Sequence, residues 1–458
     1  MKLKREADFT TGGIFLPLLR FSLPVLLALL LQAMYGAVDL WVVSRFATAA
    51  DISGVATGSQ IMHTMTNLVT GLAMGVTIQV GQLIGEQKPE RAGRAIGAGI
   101  CLFALLAAVF TGLLVWQAAG VAQIMQAPAE AFGQTAAYVR ICSAGFVFII
   151  AYNLLGAIFR GLGDSLVPLF TVGVACVINI GADLFFVCVL GLGAAGAAAA
   201  TVLAQAVSVL ISLFIIKRRS LPFRFSRASI VWDGGLIRRI LRLGTPIALQ
   251  DLLVGLSFLL ILAIVNSKGL VFSAGLGVAQ KLCAFIMLVP AAYMQSMSAF
   301  VAQNVGARRL DRAGKALRYG ILTSFAAGIV MSWLTFFHGD ALISFFNRDP
   351  QIMTAAFDYL RAYGIDCLLT PFLFCFIGYY NGLGRTLFVM IQGLVGAFGV
   401  RIPLAWLFSR PETATLFQIG LSTPCSTVVQ IVLCLSLFFI LSRRRPRPDL
   451  SGRGLMAE

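Results

Sequence analysis

Apolar residues in this sequence form long continuous runs, separated by short stretches rich in arginine, lysine, glycine and proline. Such runs lack both the alternation of half-buried strands and the one-sided stripe of a soluble helix. A helix needs about 20 apolar residues to cross a hydrocarbon core of about 30 Å. The pattern predicts an all-α integral membrane protein with twelve transmembrane helices, numbered span 1 to span 12, at residues 15–43, 53–84, 95–118, 134–159, 166–190, 194–216, 240–266, 273–304, 317–337, 354–381, 387–408 and 414–441.

Composition agrees with lipid as the solvent of this chain. Hydrophobic residues make up 59% and charged residues only 12% of the sequence, whereas soluble domains carry about 25% charged residues. The nine cysteines lie within predicted spans and form no C-x-x-C pair, so neither disulfides nor a zinc site nor another cofactor is expected. Span 1 is longer than the apolar core of a cleaved signal peptide, and we expect it to be retained.

The distribution of lysine and arginine predicts the orientation. Of the 35 basic residues, 27 fall at the termini and in loops that would share one side of the membrane. The opposite loops hold only Arg45, Lys268, Arg348 and Arg410, so both termini are expected in the cytoplasm of a multi-pass protein of the cell inner (plasma) membrane. The same distribution explains the net charge of +16 without nucleic acid, and anionic lipid headgroups are the expected partner of this face. A monomer is expected.

The two halves of the sequence resemble each other at an offset of roughly 221 residues. The matching segments are 81–85 with 302–306, 90–93 with 311–314, 138–140 with 359–361, and 160–164 with 381–385. Six helices per copy give both copies the same topology, which predicts two lobes related by a pseudo-twofold axis along the membrane normal, with a solute cavity between them and alternating access. The predicted divisions are an N-lobe at 1–216, a basic linker at 217–239, a C-lobe at 240–441 and a basic tail at 442–458.

Carboxylates within the spans are the first candidates for chemistry, because a charge at the bilayer centre costs about 2.5–3.5 kcal/mol on insertion scales. Asp39 lies late in span 1 and Asp183 late in span 5, so both are expected at a similar depth, with Asn179 one turn before Asp183. Asn153 and Thr201 could add oxygen atoms. The repeat positions of Asp39, Asn153, Asn179 and Asp183 are apolar, namely Leu260, Phe374, Val400 and Leu404.

Two neighbouring carboxylates in a low dielectric cannot both ionise at low cost. The sequence therefore predicts a coupling site that takes a proton or Na⁺, with Asp39, Asp183 and Asn179 as the sodium ligands. The alternative is that each aspartate is a buried structural residue with hydrogen-bond partners of its own.

The second half differs, because it carries two acids and two bases near the middle of its spans: Asp251, Lys281, Asp366 and Arg401. Mutual ion pairing is favoured over contact with substrate. Organic substrate is nevertheless expected in a cavity lined by Gln32, Tyr35, Met65, Asp251, Met287 and Asp366. A further intramembrane residue, His63, fits a hydrogen-bonded spacer better than a pH sensor.

An enzyme is not expected. The stretch Gly161-Leu162-Gly163-Asp164 matches the GxGD signature of intramembrane aspartyl proteases. It falls at a loop, however, its repeat partner ends in Arg385, and the Tyr-Asp motif of the second protease helix is missing. The sequence also lacks the G-x-x-x-x-G-K loop of ATP-driven transporters.

Several short motifs, in order and in both copies, resemble the multidrug and toxic compound extrusion (MATE) family. These are Gly81-Gln82-x-x-Gly85 with Arg91-Ala92, Gln303-Asn304-Val305-Gly306-Ala307, and Arg160-Gly161-Leu162-Gly163-Asp164 with Pro168. The resemblance implies a secondary antiporter that exports organic, often cationic, compounds in exchange for protons or sodium.

Within the family, the chain resembles the prokaryotic DinF-like branch. Asp39, Asn153 and the run from Asn179 to Asp183 match the cation site of that branch in the amino-terminal lobe. The NorM-like branch instead carries an acid where this chain has Asn381. A flippase for lipid-linked oligosaccharides or peptidoglycan precursors remains the alternative, and it would be expected to need more deep bases for a pyrophosphate.

Overall fold

The computed structural model describes residues 9–218, 223, 229–346, 348–411 and 413–443, and these fold into helices. Lys2, Lys4 and Arg5, most of the predicted linker and the tail beyond Arg443 lie outside the described residues. The helices are α1 (Phe15–Phe46), α2 (Ala49–Gly85), α3 (Pro89–Trp116), α4 (Ala118–Ile124), α5 (Phe132–Ala144), α6 (Phe146–Gly161), α7 (Leu166–Asp183), α8 (Gly193–Arg218), α9 (Gly234–Asn266), α10 (Leu270–Ile286), α11 (Leu288–Gly306), α12 (Leu310–Phe337), α13 (Gly339–Ser344), α14 (Pro350–Gly382), α15 (Thr386–Leu394), α16 (Ile402–Ser409), α17 (Leu416–Gly420) and α18 (Ser422–Arg443).

The predicted twelve-span architecture is confirmed within the described residues. Eleven continuous stretches are long and apolar enough to cross a membrane, and a bent pair, α5 with α6, supplies the twelfth. Span 4 was expected as one helix, but the structure bends it by 52°. The bend falls at Gly145, where the side chain of Val202 fills the space that a Cβ would need. Span 3 begins at Pro89 rather than at residue 95, because Arg91 and Arg94 end the apolar run without ending the helix.

Two helices widen into π-helical turns. One π segment, Leu184–Val189, directly follows α7, and the other, Val395–Arg401, joins α15 to α16. A π turn inserts an extra residue into the helical spiral and often marks a functional position. The two segments do not occupy equivalent positions of the repeat, so the halves diverge there.

The lobes meet along a stripe of α2 at the end of the molecule that carries Lys88, Arg94, Arg239 and Arg312, called the basic side here. Gln82 donates from Nε2 to the carbonyl oxygen of Gly382 at 3.1 Å, and Gln303 donates to that of Gly161 at 3.0 Å. These two bonds are related by the repeat offset, so they form a two-fold pair.

Two glycines complete this contact. A Cβ on Gly85 would collide with the carbonyl oxygen of Gln303, and a Cβ on Gly306 would collide with that of Gln82. The glycines therefore let the two backbones touch, which is the ordinary reason for small residues at transmembrane helix crossings. This set of two glutamines and their four glycine partners is called the latch below.

The same stripe of α2 is exposed further from the basic side. Gly71 and Gly75 still pack against α9, whereas the next positions at helical spacing, Asn67, His63, Gln60 and Ala56, are exposed. The lobes thus touch on the basic side and separate toward the opposite side. The space between them there is called the central cleft.

Short segments before α1 and α9 cross to the opposite half. The first strap, residues 9–14, lies on the loop between α11 and α12, with Phe9 packed between the rings of Phe21 and Phe300. Arg312 donates to the carbonyl oxygens of Phe9, Thr11, Gly12 and Gly13 at 2.8–3.4 Å. The chain before α1 is therefore anchored on the C-lobe.

The second strap, residues 229–233, makes the matching crossing from the linker to the N-lobe. Its Ser229 carbonyl lies against Gly97 of α3, and its Asp233 pairs with Arg94 at 3.0 Å. Ile237 and Ile240, which follow in α9, are buried in the N-lobe core. The first helix of each half consequently belongs to both lobes at the basic side.

Candidate functional site

The two N-lobe aspartates are buried next to each other. Asp39 of α1 is 5% exposed and Asp183, the last residue of α7, is 0% exposed. Thr201 of α8 donates to Oδ2 of Asp39 at 3.1 Å. The side chains of Asp183 and Asn179 lie within interaction range of the Asp39 carboxyl group. The structure therefore brings four of the five predicted cation-coupling residues together.

Most polar atoms of this group have no protein partner. Oδ1 of Asp39, both carboxyl oxygens of Asp183 and both polar atoms of the Asn179 amide are buried without a hydrogen bond of acceptable geometry. Leaving such a group unsatisfied costs about 1–3 kcal/mol each. The arrangement can be satisfied by a proton shared between the carboxyl groups or by a cation among the oxygens. The π segment starts at Leu184, directly after Asp183.

Asn153, the fifth predicted member, lies elsewhere. Its Oδ1 accepts from Thr70 at 2.9 Å and its Nδ2 donates to the carbonyl oxygen of Ile149 at 2.8 Å. It lines a separate cavity of about 60 Å³ together with Gln32 and Arg160. Each polar atom of the amide has a partner, and the bond to Thr70 joins α6 to α2 in this conformation.

Sequence reasoning missed Arg160 and Gln205 near this region. The Nε of Arg160 is buried without a partner beside the small cavity, and the repeat position, Asn381, carries no charge. Gln205 donates to the hydroxyl of Tyr35 at 3.3 Å, which holds that ring next to the acid pair. The sequence did contain an indication of Gln205, because it is a polar residue within the apolar run of span 6.

The residues predicted for one substrate cavity are divided among several places. Asp251, Met287 and Asp366 line a cavity of about 380 Å³ inside the C-lobe. Gln32 lines the small cavity of about 60 Å³, which Gln295 of α11 also lines from the C-lobe, and Met65 packs against the N-lobe core. The cavity that holds Asp251, Met287 and Asp366 thus lies within one lobe rather than between the lobes.

Arg401 is the charged residue that dominates the C-lobe cavity. It ends the π segment, is 6% exposed, donates to Oγ of Ser257 at 3.3 Å, and lies with its guanidinium 4.5 Å from the ring centre of Phe258. Asp366 lines the same cavity and is 2% exposed. No ion pair closer than 4 Å joins Asp251, Lys281, Asp366 and Arg401 in the described residues, so the expected mutual pairing is wrong as a direct contact. Asp366 and Arg401 attract each other over a longer distance.

The GxGD stretch forms a turn followed by a helix cap. Gly163 adopts a φ of +87° and its repeat partner Gly384 a φ of +75°, a conformation that favours glycine. Oδ1 of Asp164 accepts from the backbone N–H groups of Leu166 and Val167 at 2.9 and 3.1 Å. The carboxylate caps α7, which accounts for the motif without peptide hydrolysis.

Comparison with known proteins agrees with this architecture. The profile of the MatE family matches residues 24–185 and again 246–407, one match in each half. The probable multidrug resistance protein YoeA of Bacillus subtilis is 25% identical over 422 residues, which cover 90% of this chain and 91% of that protein. The multidrug export protein MepA of Staphylococcus saprophyticus is 22% identical, with 86% and 88% covered.

Solved structures share the fold. A crystal structure of MATE in complex with MaL6 superposes with a TM-score of 0.89 at 20% identity and covers 96% of this chain and 99% of that one. An outward-facing conformation of a multidrug resistance MATE family transporter also gives a TM-score of 0.89 at 20% identity, with 97% and 100% covered. The predicted family and the two-lobe membrane fold are confirmed: the chain belongs to the MatE family of multidrug efflux transporters.

Proposed function

We propose that this protein is a secondary active antiporter that exports organic compounds, cationic ones among them, in exchange for H⁺ or Na⁺. Asp39, Asp183 and Asn179 form the coupling site, and Thr201 supports it through its bond to Asp39. The observation that carries the proposal is the group of five buried polar atoms without partners on these three residues. Leu260, Leu404 and Val400 stand at the repeat positions, so the group is not part of the shared scaffold.

The cation acts by changing the charge of the acid pair. From the outer side, a proton or Na⁺ neutralises the carboxylates of Asp39 and Asp183, and this lowers the cost of packing α1 against α7 and α8. Helix α1 has two places where it can bend, at Pro24, which interrupts the hydrogen-bond ladder, and at Gly36, which has no neighbour at its Cβ position. Bending there releases bound compound into the central cleft.

Rocking of the lobes then exposes the site to the other side. The latch must separate and the cleft must close, so the two states exchange one set of contacts for another. Coupling requires that the cation and the compound favour different states, because otherwise neither could drive the other. Export follows when the cation enters from outside and leaves inside.

Orientation and surroundings are part of the proposal. The positive-inside rule assigns the basic side to the cytoplasm, which puts both termini there in a cell inner (plasma) membrane protein. Lys88, Arg91, Arg308 and Arg309 on that side are suited to anionic headgroups. We propose that the protein works as a monomer, since the two lobes of a single chain already form both sides of the central cleft.

The ligand set fits either ion. Carboxylate, amide and hydroxyl oxygens are hard donors that suit Na⁺, whereas two adjacent carboxyl groups can also hold one proton between them. The choice is therefore made by experiment. A flippase of lipid-linked sugars fits less well, because the C-lobe cavity is lined by Asp251 and Asp366 and, among its described residues, by Arg401 as the one base.

The test is efflux of ethidium from proteoliposomes under an imposed pH gradient or an imposed sodium gradient. The native protein is compared with Asp39→Asn and Asp183→Asn, and Asp340→Asn, which removes an exposed acid of α13, is the matched control. We expect one gradient to drive efflux in the native protein and the control, and neither coupling-site variant to respond. Driven efflux that survives both substitutions would move the coupling site out of the N-lobe.

A further inference from the structure

The C-lobe cavity presents several buried polar atoms that have no partner. These are Nε of Arg401, Oδ1 of Asp366, Oγ1 of Thr370 and Oγ1 of Thr423, and all four residues line the cavity. A buried guanidinium and a buried carboxylate without full hydrogen bonding are costly, and the cost is removed when a ligand supplies the missing partners. The lining therefore has the character of a binding site.

The charges of Arg401 and Asp366 remain available to a ligand, because they attract each other across the cavity without forming a direct ion pair. Arg401 donates to Ser257 and lies over the ring of Phe258, and it has no ion pair to Asp366 within 4 Å. The π segment that ends at Arg401 sets where the arginine leaves the helix. A planar guanidinium fixed in this way offers its remaining N–H groups to a carboxylate or another planar oxyanion.

Two acids on the other walls of this cavity attract positive charge, whereas Arg401 attracts negative charge. Asp366 of α14 and Asp251 of α9 line the same cavity as Arg401. A ligand that carried positive charge alone would be attracted to these acids, but it would leave the Nε of Arg401 without a partner and would be repelled by the guanidinium. A ligand that carried negative charge alone would meet the reverse problem.

We infer that the C-lobe cavity binds amphoteric organic compounds, whose carboxylate pairs with Arg401 while their cationic group faces Asp366 and Asp251. The inference rests on the proposed function for the statement that such compounds are exported, but not for their binding. The cavity of about 380 Å³ lies within the range of about 300–1,000 Å³ that is usual for drug-sized ligands. Met287, Met294 and Phe374 supply an adaptable apolar wall for the ligand body.

A matched pair of dyes tests the inference directly. One is a rhodamine with a free carboxylate, and the other is the methyl ester of the same rhodamine, which keeps the cationic xanthene and loses the negative charge. Binding is measured by fluorescence polarisation on purified protein in detergent at neutral pH. We expect the native protein to bind the free acid about tenfold more tightly than the ester, as a charge-assisted hydrogen bond implies.

Substitutions identify the residue that causes tighter binding of the free acid than of the ester. Arg401→Gln is expected to weaken binding of the free acid about tenfold and to leave the ester within about twofold of its native affinity. Arg401→Lys keeps the positive charge and is expected to retain part of the preference. Lys281→Gln removes the same charge from an exposed position of α10 and serves as the control for long-range electrostatics. Asp366→Asn is expected to weaken both dyes, since both carry the cationic group.

Several outcomes overturn the inference. Equal native affinity for the acid and the ester would do so even if Arg401→Gln failed to fold. Equal losses for both dyes in Arg401→Gln, or the same loss of preference in Lys281→Gln, would also do so. Because binding needs no gradient, the preference can persist when no gradient drives efflux, which would reject the proposed antiport alone. Driven efflux without any preference would reject the amphoteric site alone.

Discussion

The N-lobe and the C-lobe share one scaffold but differ in the charged groups they bury. In the N-lobe, Asp39 and Asp183 meet without a base, and the π segment follows the second acid. In the C-lobe, Asp366 shares a cavity of about 380 Å³ with Arg401, and the π segment ends at the arginine. Two acids without a base suit a small cation, whereas mixed charges around a large cavity suit an organic molecule. The repeated fold thus buries two different sets of charged groups, which the proposals above assign to two different ligands.

The basic side shows the opposite behaviour, because there the two halves have remained alike. Gln82 and Gln303 make the same bond to the other half, and Gly85 and Gly306 allow the same close approach. A symmetric contact on the two-fold axis would loosen on both sides together in the proposed rocking of the lobes. The halves are therefore alike at the contact that this motion would open and differ around the proposed binding sites.

The largest effect is expected from removing the acids of the N-lobe. Asp183→Asn leaves the shape of the site but removes one of the two charges that a cation must neutralise, so driven efflux of ethidium should fall to the passive leak. Installing aspartate at the repeat positions Leu260 and Leu404 in that background should not restore efflux, because the C-lobe lacks an equivalent of Asn179 there. Restored efflux would show that the lobes are interchangeable, contrary to the comparison.

The next effect is expected at the latch. In Gly85→Ala the new methyl group meets the carbonyl oxygen of Gln303, so the lobes should separate on the basic side. The measurement is the rate at which a membrane-impermeant maleimide labels a cysteine introduced at Ala302, which is buried in the closed contact, in sealed vesicles with the basic side outward.

The matched control for the latch is Gly314→Ala, because that glycine has open space where a Cβ would be. It should leave the labelling rate unchanged. Gly306→Ala should act like Gly85→Ala, since the two positions are related by the repeat. A difference between these two variants would mean that the latch does not open symmetrically.

A smaller effect is expected at the first strap. Arg312→Ala removes the donor to the carbonyl oxygens of Phe9, Thr11, Gly12 and Gly13, and the backbone of the strap would lose several charge-assisted bonds at once. Bonds to charged groups contribute about 1.5–3 kcal/mol each when they are buried, and less at a surface such as this one. We expect a clear fall in the thermal unfolding temperature in detergent, accompanied by faster proteolysis at the strap.

The smallest effect is expected at the second strap. Arg94 and Asp233 form its ion pair with 66% and 27% of their side chains exposed, and such pairs contribute about 0–1 kcal/mol. Arg94→Ala should therefore change the unfolding temperature little, and added salt should remove what difference there is. If Arg94→Ala destabilised the protein as much as Arg312→Ala, the two straps would be equivalent in energy as well as in position.

Hydropathy and the repeat were sufficient to predict the twelve spans and the two lobes, and the resemblance of short motifs indicated the family. They also indicated which depth Asp39, Asn179 and Asp183 would share, because depth along a helix follows directly from residue number. Rotation of each helix about its axis does not follow in this way. Asn153 lies at a suitable depth, yet neighbouring helices turn it toward Thr70.

The C-lobe charges illustrate the same limit. The sequence showed that these charges lie near the middle of the spans, and mutual ion pairing was the simplest expectation for them. Arg401, the last residue of the π segment, instead donates to Ser257 and lies over the ring of Phe258. The straps could not be predicted either, because segments this short show no hydropathy period and are defined by contacts with the other half.

The crossing of the straps bears on how the protein is assembled as it is synthesised. The carbonyl groups of the first strap cannot bond to Arg312 until that residue has been synthesised, about 300 residues later in the chain. The amino-terminal half must therefore enter the membrane with one of its ends unsecured, and it becomes complete only after the second half has inserted. Two separately translated halves would have to exchange these ends to form a working transporter, which ties the order of biogenesis to the architecture.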